Sequence, residues 1–475
     1  MVFLAVQYQP ALIEAAERVA DADGTLWGWL KYDSVIPGVL MAAGIMSAVL
    51  SPAVGVVCDF TSLRKPLLLG AAFLQFVTTI AAVCLAPTHG GVGGGLACLF
   101  VFNVCYSLLL TGQSSWLPEL TDDQEHLATI NRRAYSLLYI TEVAFVVLNV
   151  GLVLALSLDY LWQGRAAALV CGTSGLVFVA LAWRKLEKRE PSHQLPEGTK
   201  SLFGFSFRRV VSLTRMLRED YEDFYWFLAH LLLTDPAQNA IVTLGSAFLK
   251  SELNFKASQV SQIFGLAIIS AAAGSYLGSG LGRKIGIKRA VQLLLCTLGV
   301  FTVFGASLLP RCTTVSVPDA APPPGAALPP PPPPFEDDDE GCDATFGDLV
   351  PPLVISIVWG SLLGATWSQQ MLLFASMVPG GLEAEFSGLS TFCSSFLVWL
   401  PPLLMLALNE AFDSLRWGVA ATTLLNLGGA ALIHRVDVDR QLEKVAQSLE
   451  KRQFSKHVRA IKRAASSESA VPGAL

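Results

Sequence analysis

Gly55-Val56-Val57-Cys58-Asp59-Phe60-Thr61-Ser62-Leu63-Arg64-Lys65 sets one acid and two bases between two long apolar segments. Each flanking segment, 28–57 before it and 66–86 after it, is long enough to cross a bilayer, which takes roughly 20 residues. The acid falls at one helix end and the bases at the start of the next, so the stretch reads as a tight charged loop joining two membrane spans. Gly55 lets a neighbouring helix approach closely. Asp59 is placed to accept hydrogen bonds from the N-terminus of a neighbouring helix, and Arg64 and Lys65 anchor the face. A second copy follows at Ser279-Gly280-Leu281-Gly282-Arg283-Lys284-Ile285-Gly286-Ile287-Lys288-Arg289, with Arg283 in the acid's place. A repeat at corresponding positions of two halves points to two helical bundles.

The whole chain agrees. Of 475 residues, 53% are hydrophobic and 15% charged, against roughly 25% charged in a soluble domain; mean hydropathy is +0.52. The composition is that of an all-α polytopic membrane protein. Spans are expected at 28–57, 66–86, 95–117, 134–157, 164–183, 224–249, 258–281, 290–309, 348–374, 386–408 and 414–434. Met1 to Ala16 adds a short apolar piece that reads as the second half of a first helix, apparently truncated. With that piece counted, alternate loops carry 26 of the 33 Lys and Arg residues and the other side carries 7. Basic loops face the cytoplasm, so twelve nominal spans and a cytoplasmic C-terminus are expected. The net charge of −5 speaks against nucleic acid and leaves the lipid bilayer as the surrounding partner.

Two loops divide the chain. A basic cytoplasmic linker, 184–223, separates an N-terminal bundle, 1–183, from a C-terminal bundle, 224–434. Within the latter, 310–347 holds six consecutive prolines, Pro329 to Pro334, then an acidic run from Glu336 to Glu340. Such a segment buries no core and reads as a non-cytoplasmic spacer. It contains Cys312 and Cys342, for which a disulfide and two free thiols both remain open. In the cytoplasmic tail, 435–475, Leu442, Val445 and Leu449 share a helical face that lies either on an anionic leaflet or in solvent.

No HExxH, paired CxxC, P-loop or GxSxG occurs, so neither catalysis nor a metal or other cofactor is expected. The informative residues are polar ones inside spans, where an ionisable group costs several kcal/mol unless it meets a cavity or partner. Asp235 is the first candidate for a substrate ammonium or a coupling proton, with Asn239 one turn along the same face. Glu142 is the second. Thr366, Gln369 and Gln370 form a polar stripe that either lines a cavity or joins helices. Asp59, Arg64, Lys65, Glu119, Arg133, Glu383 and Glu385 fall at cytoplasmic helix ends and are candidates for a gate.

The charged loop resembles the Gly-x-x-x-Asp…Arg-Lys loop of major facilitator transporters, and longer segments resemble one branch of them, the vacuole effluxer family typified by autophagy-related protein 22. Ser115-Trp116-Leu117-Pro118-Glu119-Leu120 is similar to the family's Asn-Ala-Phe-Leu-Pro-Glu. Arg133-Ala134-Tyr135-Ser136-Leu137-Leu138-Tyr139 is similar to its Arg-Gly-Phe-Ala-Leu-Gly-Tyr, and Leu233-Thr234-Asp235 to its intramembrane Asp motif. Gly364-Ala365-Thr366 and Glu383-Ala384-Glu385-Phe386-Ser387-Gly388-Leu389 resemble its patterned tenth span and exit. The chain departs where a Tyr-Asp-x-Ala-Asn-Ser segment is missing, where Gln370-Met371 replaces Ser-Arg, and where Leu138, Thr141 and Glu142 replace glycines. The resemblance implies a major facilitator fold of two six-helix bundles. It also implies efflux of a small-molecule substrate, an amino acid such as leucine, from a vacuole or lysosome-like lumen during autophagic recycling. A carrier of another small solute and a transport-inactive receptor or scaffold are the competing expectations.

Overall fold

A computed structural model of the chain describes residues 8–21, 25–28, 30–31, 35–121, 123–156, 160–186, 191, 195, 201–253, 255, 257–309, 346–412 and 414–447. Cys312, Cys342, the proline run and the tail beyond 447 lie outside the described residues.

Each of the eleven expected spans is helical over most of its described length. After α1 (Gln9–Glu17) and a two-residue hairpin of β1 (Thr25–Leu26) and β2 (Leu30–Lys31), the first bundle continues with α2 (Val35–Phe60), α3 (Arg64–Ala81), α4 (His89–Trp116), α5 (Gln124–Leu156) and α6 (Tyr160–Lys185). The linker carries α7 (Leu202–Asp220). The second bundle comprises α8 (Glu222–Ala247), α9 (Ala257–Ile285), α10 (Ile287–Leu308), α11 (Phe346–Met377), α12 (Glu383–Phe396), α13 (Leu400–Phe412) and α14 (Leu415–Ile433). A helix in the tail, α15 (Val438–Gln447), turns 62° from α14.

Two features differ from the sequence reading. The span expected at 386–408 is interrupted between α12 and α13, where Pro401 and Pro402 occupy the first turn of α13, a position where proline's missing amide costs no helical hydrogen bond. The linker is helical over α7 because Ser206, Leu213 and Leu217 form a buried stripe that the surrounding arginines mask in sequence. Ser201 caps it by accepting from the Gly204 amide at 3.3 Å.

Among the described residues eight helical stretches are long and apolar enough to span a membrane, one of them running from α12 into α13 (Glu383–Met405), and the bent pair α14–α15 makes a ninth. Helices α5 and α8 are also long enough, and they carry Glu142 and Asp235.

The repeat seen in sequence is present in space. Lys65, at the start of α3, donates to the Leu186 carbonyl at the end of α6. Lys288, at the start of α10, donates to the carbonyls of His434 and Val436 at the end of α14, at 2.9 and 2.5 Å. In each half a lysine thus occupies the negative end of the last helix. Arg283 is exposed and caps nothing comparable to what Asp59 caps.

The end of the molecule bearing these lysines is its basic end. There Asp223 receives Arg440 through two hydrogen bonds, at 2.7 and 2.6 Å, and the Asp437 amide at 2.8 Å. The Gln441 amide donates to the Met377 carbonyl at 2.8 Å, so the start of the tail is docked on the second bundle. At the opposite end Glu252 accepts from Ser414, the Leu415 amide and Arg416, while Arg416 donates to the carbonyls of Ala306, Ser307 and Leu309. That clamp ties the ends of α8, α10 and α14 together.

Candidate functional site

The bundles meet along α2–α12, α4–α12, α5–α9 and α5–α11. Close approach is built from glycine. A Cβ on Gly55 would lie 2.2 Å from the Ala384 carbonyl oxygen, and one on Gly388 would lie 2.7 Å from that of Ser51. Only glycine at both positions lets the α2 and α12 backbones touch.

At the basic end this contact is locked by charge. Asp59, from the first bundle, accepts from the backbone amides of Ala384 (3.3 Å) and Glu385 (2.8 Å) of the second. It fills the unsatisfied N-terminus of α12, where the helix dipole favours an anion. Glu385 is fully buried and receives a bidentate pair from Arg209 on α7, at 2.8 and 3.1 Å. Arg209 also lies over the Phe60 ring, 5.6 Å from its centroid. Glu383 accepts from the Gly381 amide at 2.8 Å. Arg64 donates to Ser115 at 2.6 Å and covers the Trp116 ring, which fixes α3 to α4. Lys65 covers Trp183. Deeper, Thr111 and Thr391 bond across the bundles at 2.9 Å, Ser387 donates to the Thr111 carbonyl at 2.7 Å, and Asn131 donates to the Ser368 carbonyl at 2.8 Å. The basic end is closed.

Of the residues assigned to a gate from sequence, Asp59, Glu383 and Glu385 come together at the start of α12. Arg64 and Lys65 brace the first bundle beside it. Arg133 is exposed. Glu119 lies in the turn Leu117–Glu119, and its side chain is outside the described set. Sequence reasoning missed Arg209. Its signal was the buried periodicity of α7, overshadowed by basic charge.

Behind the gate, half-buried polar side chains of the two bundles come near one another. Asp235 accepts from Ser394 of α12 at 2.5 Å. It also lies within electrostatic reach of Tyr135 on α5, across the bundle boundary. On the first-bundle side Glu142 is within reach of Tyr106 and Tyr139, and the Tyr135 and Tyr139 rings are 6.2 Å apart. Asp235, Glu142, Tyr106 and Tyr135 are deep in the fold yet only half-buried, as expected of cavity walls. Asn239 is half-buried one turn beyond Asp235.

The polar stripe of α11 is turned elsewhere. Gln370 donates to His230 Nε2 at 3.1 Å and to Thr234 at 3.2 Å, while His230 Nδ1 meets the Gly429 carbonyl at 2.9 Å. This geometry assigns a neutral imidazole with its proton on Nδ1. Gln369 packs against Gly282, and Thr366 donates to the Leu362 carbonyl at 2.7 Å. All three are buried inside the second bundle. His230 was missed as a partner because its contacts come from α11 and α14, far away in sequence. Among the described residues no group of His, Cys, Asp and Glu suits a metal ion.

The profile of the family described as vacuole effluxer Atg22 like matches residues 25–309. No curated protein matches the sequence. Among solved structures, the proton:xylose symporter XylE superposes with a TM-score of 0.62 at 12% identity, covering 91% of this chain and 92% of that one. The E. coli fucose:proton symporter FucP gives 0.57 at 10% identity, covering 92% and 98%. The human organic anion transporter MFSD10 gives 0.53 at 17% identity, covering 85% and 84%. At these identities the likeness establishes the fold, that of the major facilitator superfamily.

Proposed function

The chain belongs to the vacuole effluxer Atg22-like family of membrane transporters, and from that premise we propose that it carries amino acids from a vacuolar or lysosome-like lumen to the cytosol by alternating access. The basic end faces the cytosol in this reading, supported by the concentration of Lys and Arg there. The structure then corresponds to a carrier shut toward the cytosol. Substrate binds between the bundles, the gate at α2–α12 and α4–α12 separates, and the bundles rock about the bound solute.

The observation that carries the reading is Asp235, an acid half-buried behind a closed gate. It is bonded within the second bundle to Ser394 and lies within electrostatic reach of Tyr135 of the first. A carboxyl so placed senses both bundles at once. With no ion pair to Lys or Arg among the described residues, it serves as the site for a proton moving with substrate.

Flux of labelled amino acids from proteoliposomes tests this, comparing wild type with Asp235→Asn between pH 5 and 8. The variant keeps the shape and one acceptor but cannot titrate. The expected outcome is normal membrane delivery with transport, or its pH dependence, reduced about tenfold or more. Wild-type flux at every pH would reject Asp235 as the coupling site.

A further inference from the structure

We propose that the linker helix α7 is a lipid-docking element: its outer face, Val211 flanked by Arg208, Arg215 and Arg218, rests on anionic phospholipid headgroups of the leaflet at the basic end. The proposal needs the bilayer and no particular solute, so it stands apart from the transport reading.

The contacts of α7 lay it flat across the ends of three spans. Near its start, Phe205 meets Phe60, the last residue of α2, with ring centroids 5.0 Å apart. Toward its middle, Arg209 pairs with Glu385 in the first turn of α12. Just past its end, Tyr221 packs edge-on against Phe386 of α12 at 5.7 Å, and the chain enters α8 at Glu222. Helix α2 finishes, and α8 and α12 begin, at the same end of the molecule. A helix of 19 residues is about 28 Å long. Touching span ends along that length, α7 runs parallel to the membrane surface, at the level where spans leave the hydrocarbon and headgroups begin.

One face of α7 is taken up by the protein. Ser206, Leu213 and Leu217 are buried, and half-buried Arg209 is neutralised by Glu385. The opposite face is turned outward. Val211 is 67% exposed, and Phe207, one turn before it, is 39% exposed. Positions 207, 211 and 218 share a stripe at spacings of four and seven, with 208 and 215 beside it. Arg208, Arg215 and Arg218 are all exposed. Arg208 donates to the Gly204 carbonyl of its own helix at 3.3 Å. Among the described residues none of the three belongs to an ion pair, whereas Arg209, Arg416 and Arg440 each meet a carboxylate. Glu219 and Asp220, in the last turn, are exposed too and pair with none of the three.

An apolar ridge bordered by guanidinium groups, on a helix lying along a surface, is what an interfacial helix presents to anionic lipid. Headgroup phosphate and carboxylate oxygens accept from guanidinium N–H groups, and the negative potential of an anionic leaflet attracts basic residues beside it. The level of α7 decides the occupant. At the headgroups lipid is the neighbour already in place, and a protein partner would have to displace it.

The test uses the full-length protein in nanodiscs of phosphatidylcholine alone or of equal parts phosphatidylcholine and phosphatidylserine. Val211→Cys carries a polarity-sensitive fluorophore, and the parent protein labelled in parallel corrects for native cysteines. With phosphatidylserine present, acrylamide quenching of the label is expected to fall at least about fivefold, the factor due to one basic residue at an anionic surface. Combining Arg208→Gln, Arg215→Gln and Arg218→Gln should abolish that protection while leaving the melting temperature at the wild-type value. Salt at about 1 M, which shortens the Debye length to about 3 Å, should abolish it without any substitution. Quenching that is equal in the two kinds of disc, or protection that survives both the triple variant and high salt, overturns the proposal. So does protection that is lost on neutralising Lys451, Arg452 and Lys456 of the basic tail but kept in the triple variant, because the lipid-binding charge would then belong to the tail.

Discussion

At the scale of single residues, Asp59 does the most with the least. One carboxylate from the first bundle satisfies two amides at the start of α12 in the second, so it acts as a helix cap supplied from outside the helix. Removing a cap costs about 1 kcal/mol, equivalent to about a fivefold shift between closed and open forms. Asp59→Ala is therefore expected to increase maleimide labelling of its neighbour Cys58, which is buried in the closed form at 4% exposure, by about that factor. Unchanged labelling would show that the cap does not hold the gate. The Gln370 amide is the second such point, because it serves His230 and Thr234 together. Gln370→Leu leaves His230 Nε2 without its partner inside the bundle and is expected to cost about 1–3 kcal/mol of stability, read as a lower melting temperature with the fold retained. The sequence exposed Asp59 and Asp235 because an acid among apolar residues stands out. It did not expose the direction of Gln370, since a glutamine in a span faces a cavity or a helix with the same composition around it.

At the scale of elements, the legible part was whatever repeats with a fixed period. Spans emerged as apolar runs, and the loop at 55–65 emerged as a charged break between them. Helix α7 did not, because its apolar stripe of three turns is diluted by Arg208, Arg209, Arg215 and Arg218. Nor did the docking of α15, which depends on long-range contacts, foremost the Arg440–Asp223 pair. Burial pushes the Asp223 carboxyl up, but hydrogen bonds from Arg440 and the Asp437 amide outweigh it and hold the group below the usual carboxylate range. A carboxyl lowered in the folded state stabilises docking fully above its unfolded pKa, about 3.9, and that contribution fades as pH falls through the lowered value. Hydrogen-exchange protection over 438–447, relative to the intrinsic rate at each pH, is thus expected to be flat from pH 8 to 5. Asp223→Asn should undock the segment at neutral pH. Protection that declines between pH 7 and 5 in wild type would assign the docking to a different group.

At the scale of the whole molecule, the fold follows from two half-chains carrying the same charged loop, and the site follows from what the two halves do not share. Asp59 has Arg283 at its counterpart position, so only one of the two loops caps a helix of the other bundle. Helices α5 and α8 supply the two acids that lie deep within the spans, Glu142 and Asp235. Neither the pairing of Thr111 with Thr391 nor the reach of Tyr135 to Asp235 was legible, since both join residues separated by 100 positions or more across bundles that pack only in the folded chain. The account requires the basic end to open and close once per cycle, and the Thr111–Thr391 contact at 2.9 Å lies across the surfaces that must part. The most direct measurement is flux through the double variant Thr111→Cys and Thr391→Cys in proteoliposomes, before oxidation, after it, and after reduction. The account predicts that a disulfide stops transport and that reduction restores it. Transport at the uncrosslinked rate with the disulfide fully formed would contradict it.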